Sequence, residues 1–544
     1  FSYLFLPIQK GTMGAAATNP ETPSSAPGPN SPLEAVAVVD PYSSGRYLLY
    51  ELKKRGVPVV CVRSSLKLGP FFLASYETHK DHFVRTVDHE ADLASTIAAL
   101  KSGPHTIKAV VPGCEPGVEL ADALSEGMGL PSNGTELTSA RRDKAVMQDR
   151  LSQCGVPSAE QTKSADLEVL MTWVRDREAR LGKEAAYPVV VKPTGGSGGE
   201  GVYFCASVDD LVQAHGELIG ATQAGSGREV EHLALQEFLV GTEYIVDTCS
   251  LEGEHLCCAV WRYTKKKGMP WNPRCIVTQH QEILPAEGEE QEALVRYVFD
   301  VLDAVGLRHG PCHTEVMLTS RGPILVEVNA RMHGVQGPLL IEKATGNGLA
   351  GYFADCMMNG WRGDGGLLRE HLTAGKSGGR GRWMYPRKES SCIMMLVSHA
   401  EGYLKEEIDK QIAGLRLPSV LEVFPSVKKG GLLKQSQDLN TMAGYAIMLH
   451  PSEEKMYQDI AAIRAAEETG IYPVSQEPPM SRQASPAFSR KSSPAFSRKS
   501  SPDFTRQISP SIEKADELWA ADEAGMLEDG KSLELEVTGL PADS

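Results

Sequence analysis

A short segment near the middle of the chain constrains the fold most, because it predicts two strands joined by a tight turn. The segment is Gly310–Gly334, GPCHTEVMLTSRGPILVEVNARMHG. Its first half, Cys312–Thr319, has the composition of a strand, and Ser320–Pro323 supplies turn chemistry. The sequence therefore predicts a β-hairpin here.

The second strand of this hairpin carries three polar side chains at alternate positions. Glu327, Asn329 and Arg331 are two residues apart. Since the side chains of a strand alternate between its two faces, all three point the same way. The same alternation predicts that Val326 and Val328 face the core.

The turn sets which residues of the two strands oppose one another. If the hairpin is symmetric about Arg321, Glu315 lies opposite Glu327 and His313 lies opposite Asn329. Two directly opposed carboxylates destabilise an ordinary hairpin unless a cation lies between them. Oxygen ligands with open positions suit Mg²⁺. A surface hairpin with a polar face is the alternative that the segment alone leaves open.

Composition and charge narrow the class of protein. The chain has 544 residues, 41% hydrophobic and 23% charged, which is typical of a globular protein with several domains. No apolar stretch approaches the ~20 residues of a membrane helix. The net charge of −15 argues against nucleic acid as a partner. Eleven cysteines without metal-type spacing favour a reducing, cytoplasmic compartment.

The N-terminal 33 residues predict a disordered leader. Their composition is rich in alanine, proline and serine and cannot support a core. Met13–Thr18 fits the N-myristoylation pattern, but no basic cluster follows it. A disordered leader is therefore the favoured interpretation.

Alternating strand and helix signals predict a doubly wound α/β domain over residues 34–137. The predicted strands are Ala35–Val39, Val57–Val62 and Ala109–Pro112, and the predicted helices are Arg46–Arg55, Glu90–Leu100 and Gly117–Glu126. The loop Asp40–Gly45 has one glycine, so the dinucleotide fingerprint is missing. This domain is expected to shape a substrate cleft.

Residues 138–360 form a second predicted domain and residues 361–475 a small C-terminal α+β cap. The cap is expected to open with a long loop, Trp361–Arg387, and then to form the strands Cys392–Ser398 and Tyr445–His450 and the helix Ser452–Glu468.

The last predicted segment, residues 476–544, is a disordered tail with a repeat. Four copies of an eight-residue SRxxSPxF-like unit run from Ser481 to Ile512. Each copy contains Arg-x-x-Ser-Pro, and the candidate phosphorylation sites for a kinase or phospho-reader are Ser485, Ser493, Ser501 and Ser509. An unmodified linker is the equally weighted alternative.

Phosphate-binding chemistry is concentrated in the second domain. Tyr187–Lys192 predicts a buried strand that ends in a lysine, and the glycine-rich loop Thr194–Gly201 follows. Glycines let backbone N–H groups approach phosphate, and the lysine adds positive charge. Lys144, near the start of a helix predicted from Ala140, is a second cation for the same group.

A short linker between two further predicted strands can hold a nucleoside. Leu233–Leu239 and Tyr244–Cys249 are the strands. Backbone groups between them can meet an adenine edge, and Glu243 can accept hydrogen bonds from ribose hydroxyls.

These separated motifs, in this order, resemble the ATP-grasp superfamily. The resemblance covers residues 138–360 in detail, and residues 34–137 look like its pre-ATP-grasp domain. Within the superfamily the chain looks closest to the carboxylate–amine ligases related to carnosine synthase and bacterial L-amino-acid ligases. Four motifs that agree are more specific than any one of them.

The resemblance implies a role for each matching residue. The nucleotide-binding residues are Lys144, Lys192, Thr194, Gly195, Gly196, Ser197, Gly198, Gly199, Gly201, Glu237, Phe238, Leu239 and Glu243. The implied Mg²⁺ ligands are Glu315, Glu327 and Asn329. Arg331 matches the catalytic arginine that meets the transferred phosphate, and His313 is expected to be a hydrogen-bonding core histidine.

The implied function is an ATP- and Mg²⁺-dependent ligase, with Mn²⁺ as a possible substitute. ATP activates a carboxylate as an acyl phosphate, and an amine, with amino acids as the expected substrates, then forms the amide. A biotin-carboxylase-like or carbamoyl-phosphate-type reaction, or a non-catalytic ATP-binding scaffold with a phosphoregulated tail, are the alternatives. The basic segment Trp261–His280, with Arg262, Lys265, Lys266, Lys267 and Arg274, is expected either to overhang the cleft or to be a solvated loop.

Overall fold

The computed structural model describes residues 33–478, apart from 68, 91, 196–198, 200, 224–226 and 377–384. Residues 1–32 of the predicted leader, the four tail serines and three loop residues lie outside the described residues, whereas Leu33 begins the first strand. Those loop residues are Gly196, Ser197 and Gly198. Phosphorylation of the tail therefore stays a prediction.

The N-terminal part forms a parallel sheet with strand order β3-β2-β1-β4, as the alternating pattern predicts. Its elements are β1 (Leu33–Val39), α1 (Gly45–Lys54), β2 (Val59–Arg63), α2 (Pro70–His79), β3 (Phe83–Asp88), α3 (Leu93–Lys101), β4 (His105–Pro112) and α4 (Val118–Gly127). The helix α2 and the strand β3 were not predicted. The apolar residues of α2 do not repeat at helical spacing.

A second, antiparallel sheet has the order β5-β8-β6-β7. Its elements and the helices around it are α5 (Lys144–Gln153), β5 (Gln161–Ser164), α6 (Leu167–Leu181), α7 (Lys183–Ala186), β6 (Val189–Pro193), β7 (Tyr203–Cys205), α8 (Val208–Leu218) and β8 (Leu233–Glu237). The strands β6 and β8 carry the predicted lysine and the predicted adenine hinge at their ends.

The largest sheet has eight strands in the order β13-β12-β9-β10-β11-β14-β18-β16. The remaining elements are β9 (Thr242–Leu251), β10 (Glu254–Met269), β11 (Asn272–Ile283), α9 (Glu289–Ala304), β12 (Gly310–Thr319), β13 (Gly322–Asn329), α10 (Gly337–Thr345), α11 (Leu349–Met358), α12 (Gly366–Lys376), β14 (Ser390–Leu396), β15 (Gly402–Leu404), α13 (Ile408–Gly414), β16 (Val420–Pro425), β17 (Leu432–Leu433), β18 (Gly444–His450), α14 (Glu453–Glu468) and β19 (Val474–Ser475). Three short strands, β15, β17 and β19, form a separate sheet.

Two of the expected loops are strands or helices in the structure. The loop expected over Trp361–Arg387 contains α12, and the solvated-loop alternative for Trp261–His280 is wrong because the segment lies mostly in β10 and β11. The predicted cap also contributes β14, β18 and β16 to the large sheet, through pairing of β14 with β11. The predicted boundary at residue 360 stays a prediction.

One hydrophobic core holds the N-terminal sheet to the large sheet. Leu48 of α1, Trp261 of β10 and Phe353 of α11 belong to the same buried cluster. An ion pair between Arg55 and Asp355, 2.5 Å apart, spans the same contact. The loops that follow the N-terminal strands are therefore held beside the large sheet.

The helix α5 begins at Lys144, not at Ala140 as predicted. Asp143 caps it, because its carboxylate accepts hydrogen bonds from the backbone N–H groups of Ala145 (2.9 Å) and Val146 (3.0 Å). Residues 139–141 form a separate 3₁₀ turn. The cap places Lys144 on the first residue of the helix.

The hairpin of β12 and β13 has the predicted pairs and an unpredicted bulge. His313 opposes Asn329 and Glu315 opposes Glu327, but the register shifts by one residue after Glu315. The shift leaves Val326 as the extra residue, and a bulge re-aims side chains. Val326 lines a cavity beside Glu327, so its predicted place in the core is wrong, whereas Val328 is buried in the core.

None of the described helices combines the length and the apolar character that crossing a membrane requires.

Substitution of Gly241 by alanine is expected to destabilise the fold strongly. Gly241 joins β8 to β9 with φ +151°, and an added Cβ would lie 2.0 Å from the carbonyl oxygen of Leu318. Backbone strain and overpacking together predict a loss of about 3 kcal/mol or more. Chemical denaturation measures it.

Gly253→Ala is the matched control. Gly253 also has positive φ, +87°, but a Cβ there meets nothing within 4 Å. Its expected loss is only about 1 kcal/mol. Equal losses for the two variants would contradict the close contact at Gly241.

Candidate nucleotide and metal site

A cavity of about 490 Å³ lies between the small antiparallel sheet and the large sheet. It brings together most of the site residues predicted from the sequence. Those that line it are Lys144, Lys192, Gly199, Gly201, Glu237, Phe238, Leu239, Glu243, Glu315 and Glu327. Thr194 and Gly195 line a neighbouring cavity of about 1100 Å³. Asn329 and Arg331 are not among the residues that line the first cavity. Asn329 contacts Glu327, which lines it, and Arg331 contacts Glu115, which lines the neighbouring cavity.

Glu327 is held by a cation and an amide. Lys144 Nζ lies 2.9 Å from Glu327 Oε2, and Asn329 Nδ2 donates a hydrogen bond of 3.0 Å to Glu327 Oε1. Burial by itself would raise the pKa of Glu327, but Lys144 and Asn329 hold it well below its usual range. The group is therefore a carboxylate at neutral pH.

Glu315 faces Glu327 across the hairpin and has a different partner. His313 Nε2 lies 3.3 Å from Glu315 Oε1. Burial and Glu327 raise the pKa of Glu315, but His313 and Lys265 outweigh them and lower it. The two carboxylates and the amide oxygen of Asn329 form an oxygen donor set that fits Mg²⁺.

Two lysines place positive charge on the same side of the cavity. Lys192 is the last residue but one of β6, and burial together with nearby Lys144 lowers its pKa to about 8. The backbone N–H of Lys144 donates to the carbonyl oxygen of Thr194 over 3.0 Å. This bond holds the start of the glycine-rich loop beside α5. The two lysines and the loop are therefore placed to contact the same anionic group.

The predicted adenine hinge is fixed by side-chain contacts. Glu237 Oε1 accepts hydrogen bonds from the backbone N–H of Glu160 (3.0 Å) and from Arg321 (2.6 Å). The rings of Phe238 and Phe204 meet edge to face, with centroids 5.6 Å apart. A rigid hinge with backbone groups at the cavity wall suits a planar base.

Lys265 and Tyr263 of β10 line the nucleotide cavity. Lys265 belongs to the basic segment that was expected to overhang the cleft, whereas Tyr263 was not predicted. Lys265 Nζ lies 2.6 and 2.7 Å from the two carboxylate oxygens of Glu243 and 4.4 Å from the centroid of the Tyr263 ring. Burial would lower the pKa of Lys265, but Glu243 raises it. Tyr263 is two residues from Lys265 on the same strand, and this spacing is the signal that could have indicated it.

Arg331 contacts an acid from the N-terminal sheet. Arg331 Nε donates to Glu115 Oε2 over 2.9 Å, and its Nη1 donates to the carbonyl oxygen of Met332. Glu115, which follows β4, also pairs with Arg142. Burial, with Arg228 and Arg331 nearby, lowers the pKa of Arg142 to about 10. Glu115 was missed because only the tertiary fold brings it here.

Comparison with known proteins matches this arrangement to one fold. A family model described as an ATP-grasp domain matches residues 185–338. Dapdiamide A synthase of Enterobacter agglomerans is 27% identical and covers 80% of this chain and 96% of its own length. The L-arginine-specific L-amino acid ligase of Bacillus subtilis is 26% identical and covers 49% of this chain and 62% of its own length.

A solved structure extends the match to the whole described fold. The L-amino acid ligase from Bacillus licheniformis superposes with a TM-score of 0.58 at 16% identity, and the match covers 80% of this chain and 98% of that one. The predicted resemblance and the predicted mixed α/β multidomain fold are confirmed by these matches.

Substitution of Lys265 by methionine is expected to destabilise the protein in the absence of nucleotide. The change leaves the Glu243 carboxylate buried without its cation, and breaking a pair of this kind costs about 3 kcal/mol. The double variant K265M/E243Q removes both charges and should recover most of that loss. Urea unfolding of both variants measures the difference. A double variant as unstable as the single one would contradict the pairing.

Proposed function

We propose that the chain is an ATP-grasp enzyme, an ATP-dependent carboxylate–amine ligase that releases ADP and phosphate. One observation carries the proposal. Lys144 and Lys192 share a cavity with the opposed acids Glu315 and Glu327. The relatives named above are amide-forming ligases, which favours ligation over bicarbonate chemistry.

The nucleotide would occupy the cavity along its length. The hinge at Glu237–Leu239 suits adenine, Glu243 suits the ribose hydroxyls, and the two lysines suit the phosphates. Glu315, Glu327 and Asn329 would hold Mg²⁺, or Mn²⁺ in its place, which supplies charge neutralisation for phosphoryl transfer when bound.

The remaining residues orient the reacting group and exclude water. Arg331, held by Glu115, would meet the transferred phosphate and then the acyl phosphate. An acyl phosphate is open to hydrolysis, so the site needs a cover. Of the glycine-rich loop, Gly201 has a positive φ of +73° and lines the cavity, which supports its role in that cover.

Amino acids are the proposed acid and amine substrates. Two of the similar proteins are named as L-amino acid ligases. None of the eleven cysteines, all of which the structure describes, is in a disulfide, which supports the proposed reducing, cytoplasmic compartment.

Incubation with ATP, Mg²⁺ and pooled amino acids is expected to release ADP and phosphate, whereas incubation without the amino acids is not. Mass spectrometry of the mixture should show an amide product. Glu327→Gln should reduce turnover by about 100-fold or more, because the loss of charge removes a metal ligand and the partner of Lys144.

Three results would count against this function. They are AMP and pyrophosphate as products, ATP hydrolysis that depends on bicarbonate, and ATP binding without turnover in any pool. Glu77→Gln is the matched control, because Glu77 pairs with Lys80 on the surface. It should leave turnover unchanged, and unfolding curves should show that both variants fold.

Arg331→Lys is expected to separate nucleotide binding from chemistry. Lysine keeps the charge but loses the planar fork that holds a phosphate and Glu115 together. We expect kcat to fall about 100- to 1000-fold while the Kd for ATP is unchanged. Rapid-quench kinetics and calorimetry measure the two quantities. A parallel rise in Kd would assign Arg331 to nucleotide binding instead.

A further inference from the structure

A buried polar network lies beside Glu315 on the large sheet and has no role in the function proposed above. It is centred on the carboxylate of Asp247 in β9, which is 0% exposed. Its other members are His313, His333, Trp261 and Gln281, all of which are buried.

Three donors converge on this one carboxylate. His313 Nδ1 lies 3.0 Å from Asp247 Oδ1, and His333 Nδ1 lies 2.7 Å from Asp247 Oδ2. Trp261 Nε1 donates to the same Oδ2 over 2.7 Å. Three charge-assisted contacts satisfy an acid that has no access to water.

The network reaches the proposed metal site through one residue. Asp247 and His313 are direct cross-strand partners on β9 and β12. His313 and Glu315 are two apart on β12, so their side chains share a face. With Nδ1 turned to Asp247, the other ring nitrogen of His313 meets Glu315 Oε1 at 3.3 Å.

The second histidine is packed in place. His333 follows β13, and its Nε2 lies 3.1 Å from Gln281 Oε1. A Cβ on Gly337 would come within 2.4 Å of the His333 ring. Glycine at the start of α10 therefore lets His333 reach the second oxygen of Asp247.

The distances favour hydrogen bonds over a second metal site in this cluster. Two ligands of one tetrahedral Zn²⁺, each about 2.1 Å from the ion, lie about 3.4 Å apart. The contacts of Asp247 with His313 and His333 are 3.0 and 2.7 Å. Both ring nitrogens of each histidine also face a partner within the network.

We propose that Asp247, His313 and His333 are positioning residues that fix the carboxylate of Glu315 for the metal. The proposal rests on the proposed function, in which Glu315 is a metal ligand. Asp247 fixes the ring of His313, His333 fixes Asp247, and His313 holds Glu315 against the repulsion of Glu327. Partners of this kind contribute about 10- to 100-fold to metal affinity.

Two substitutions of His313 each keep one of its two ring contacts and remove the other. An asparagine amide nitrogen replaces Nδ1 and keeps the contact with Asp247, whereas a glutamine amide nitrogen replaces Nε2 and keeps the contact with Glu315. Mn²⁺ binding is measured by electron paramagnetic resonance with a non-hydrolysable ATP analogue. We expect His313→Asn to weaken Mn²⁺ binding about 10- to 100-fold and His313→Gln to weaken it less.

His255→Gln is the matched control. His255 is also a buried histidine, with ring contacts to Ser250 (2.7 Å) and Asp303 (3.1 Å). The variant should lose stability but bind Mn²⁺ like the wild type. If His313→Asn does not fold, the isosteric Asp247→Asn is expected to weaken Mn²⁺ binding in the same direction.

Two outcomes would overturn the positioning role. One is wild-type Mn²⁺ affinity in folded His313→Asn. The other is a stoichiometric metal that purified protein retains and His333→Asn loses, which would make the cluster a metal site. Because Mn²⁺ binding is measured without turnover, a failed amino-acid screen with weakened Mn²⁺ binding would reject only the ligase function.

Discussion

The direct opposition of Glu315 and Glu327 on two neighbouring strands is the constraint on which the site depends. Like charges at opposed positions destabilise a hairpin, and only 16% of the Glu315 side chain and 13% of the Glu327 side chain are exposed to water. The chain balances them with groups from separate elements: Lys144 of α5 contacts Glu327, and His313 of β12 contacts Glu315. The acids therefore determine how α5 and the hairpin are arranged around the cavity.

The N-terminal sheet contributes an acid to the edge of the site. Glu115, which follows β4, contacts both Arg331 and Arg142. The shared hydrophobic core and the ion pair between Arg55 and Asp355 hold this sheet beside the large one. Ligands of doubly wound sheets bind beyond the carboxyl ends of the strands, which is where Glu115 lies. The N-terminal sheet thus forms one side of the site and contributes the acid Glu115, although it has no dinucleotide fingerprint.

The sequence predicted the features that depend on residue spacing and turn residues within a single segment. Period-two spacing and the turn gave the pairing of Glu315 with Glu327, and that pairing holds in the structure. The bulge at Val326 was not predictable, because nothing in the hairpin sequence shows that the register shifts by one residue after Glu315. The contact of Lys265 with Glu243 joins residues on different strands, and the sequence alone gives no register for them.

A comparison of the His255–Asp303 pair with the polar network at Asp247 supports a role of that network in the site and not only in the core. His255 is buried, but the side chain of its acidic partner Asp303 is 71% exposed, so water solvates that carboxylate. Asp247 is wholly buried, and three donors must replace its water. An apolar residue in place of such a charged group is often neutral or stabilising. This unfavourable network of buried polar groups contacts Glu315 through His313. Its contribution is to hold the Glu315 carboxylate in place.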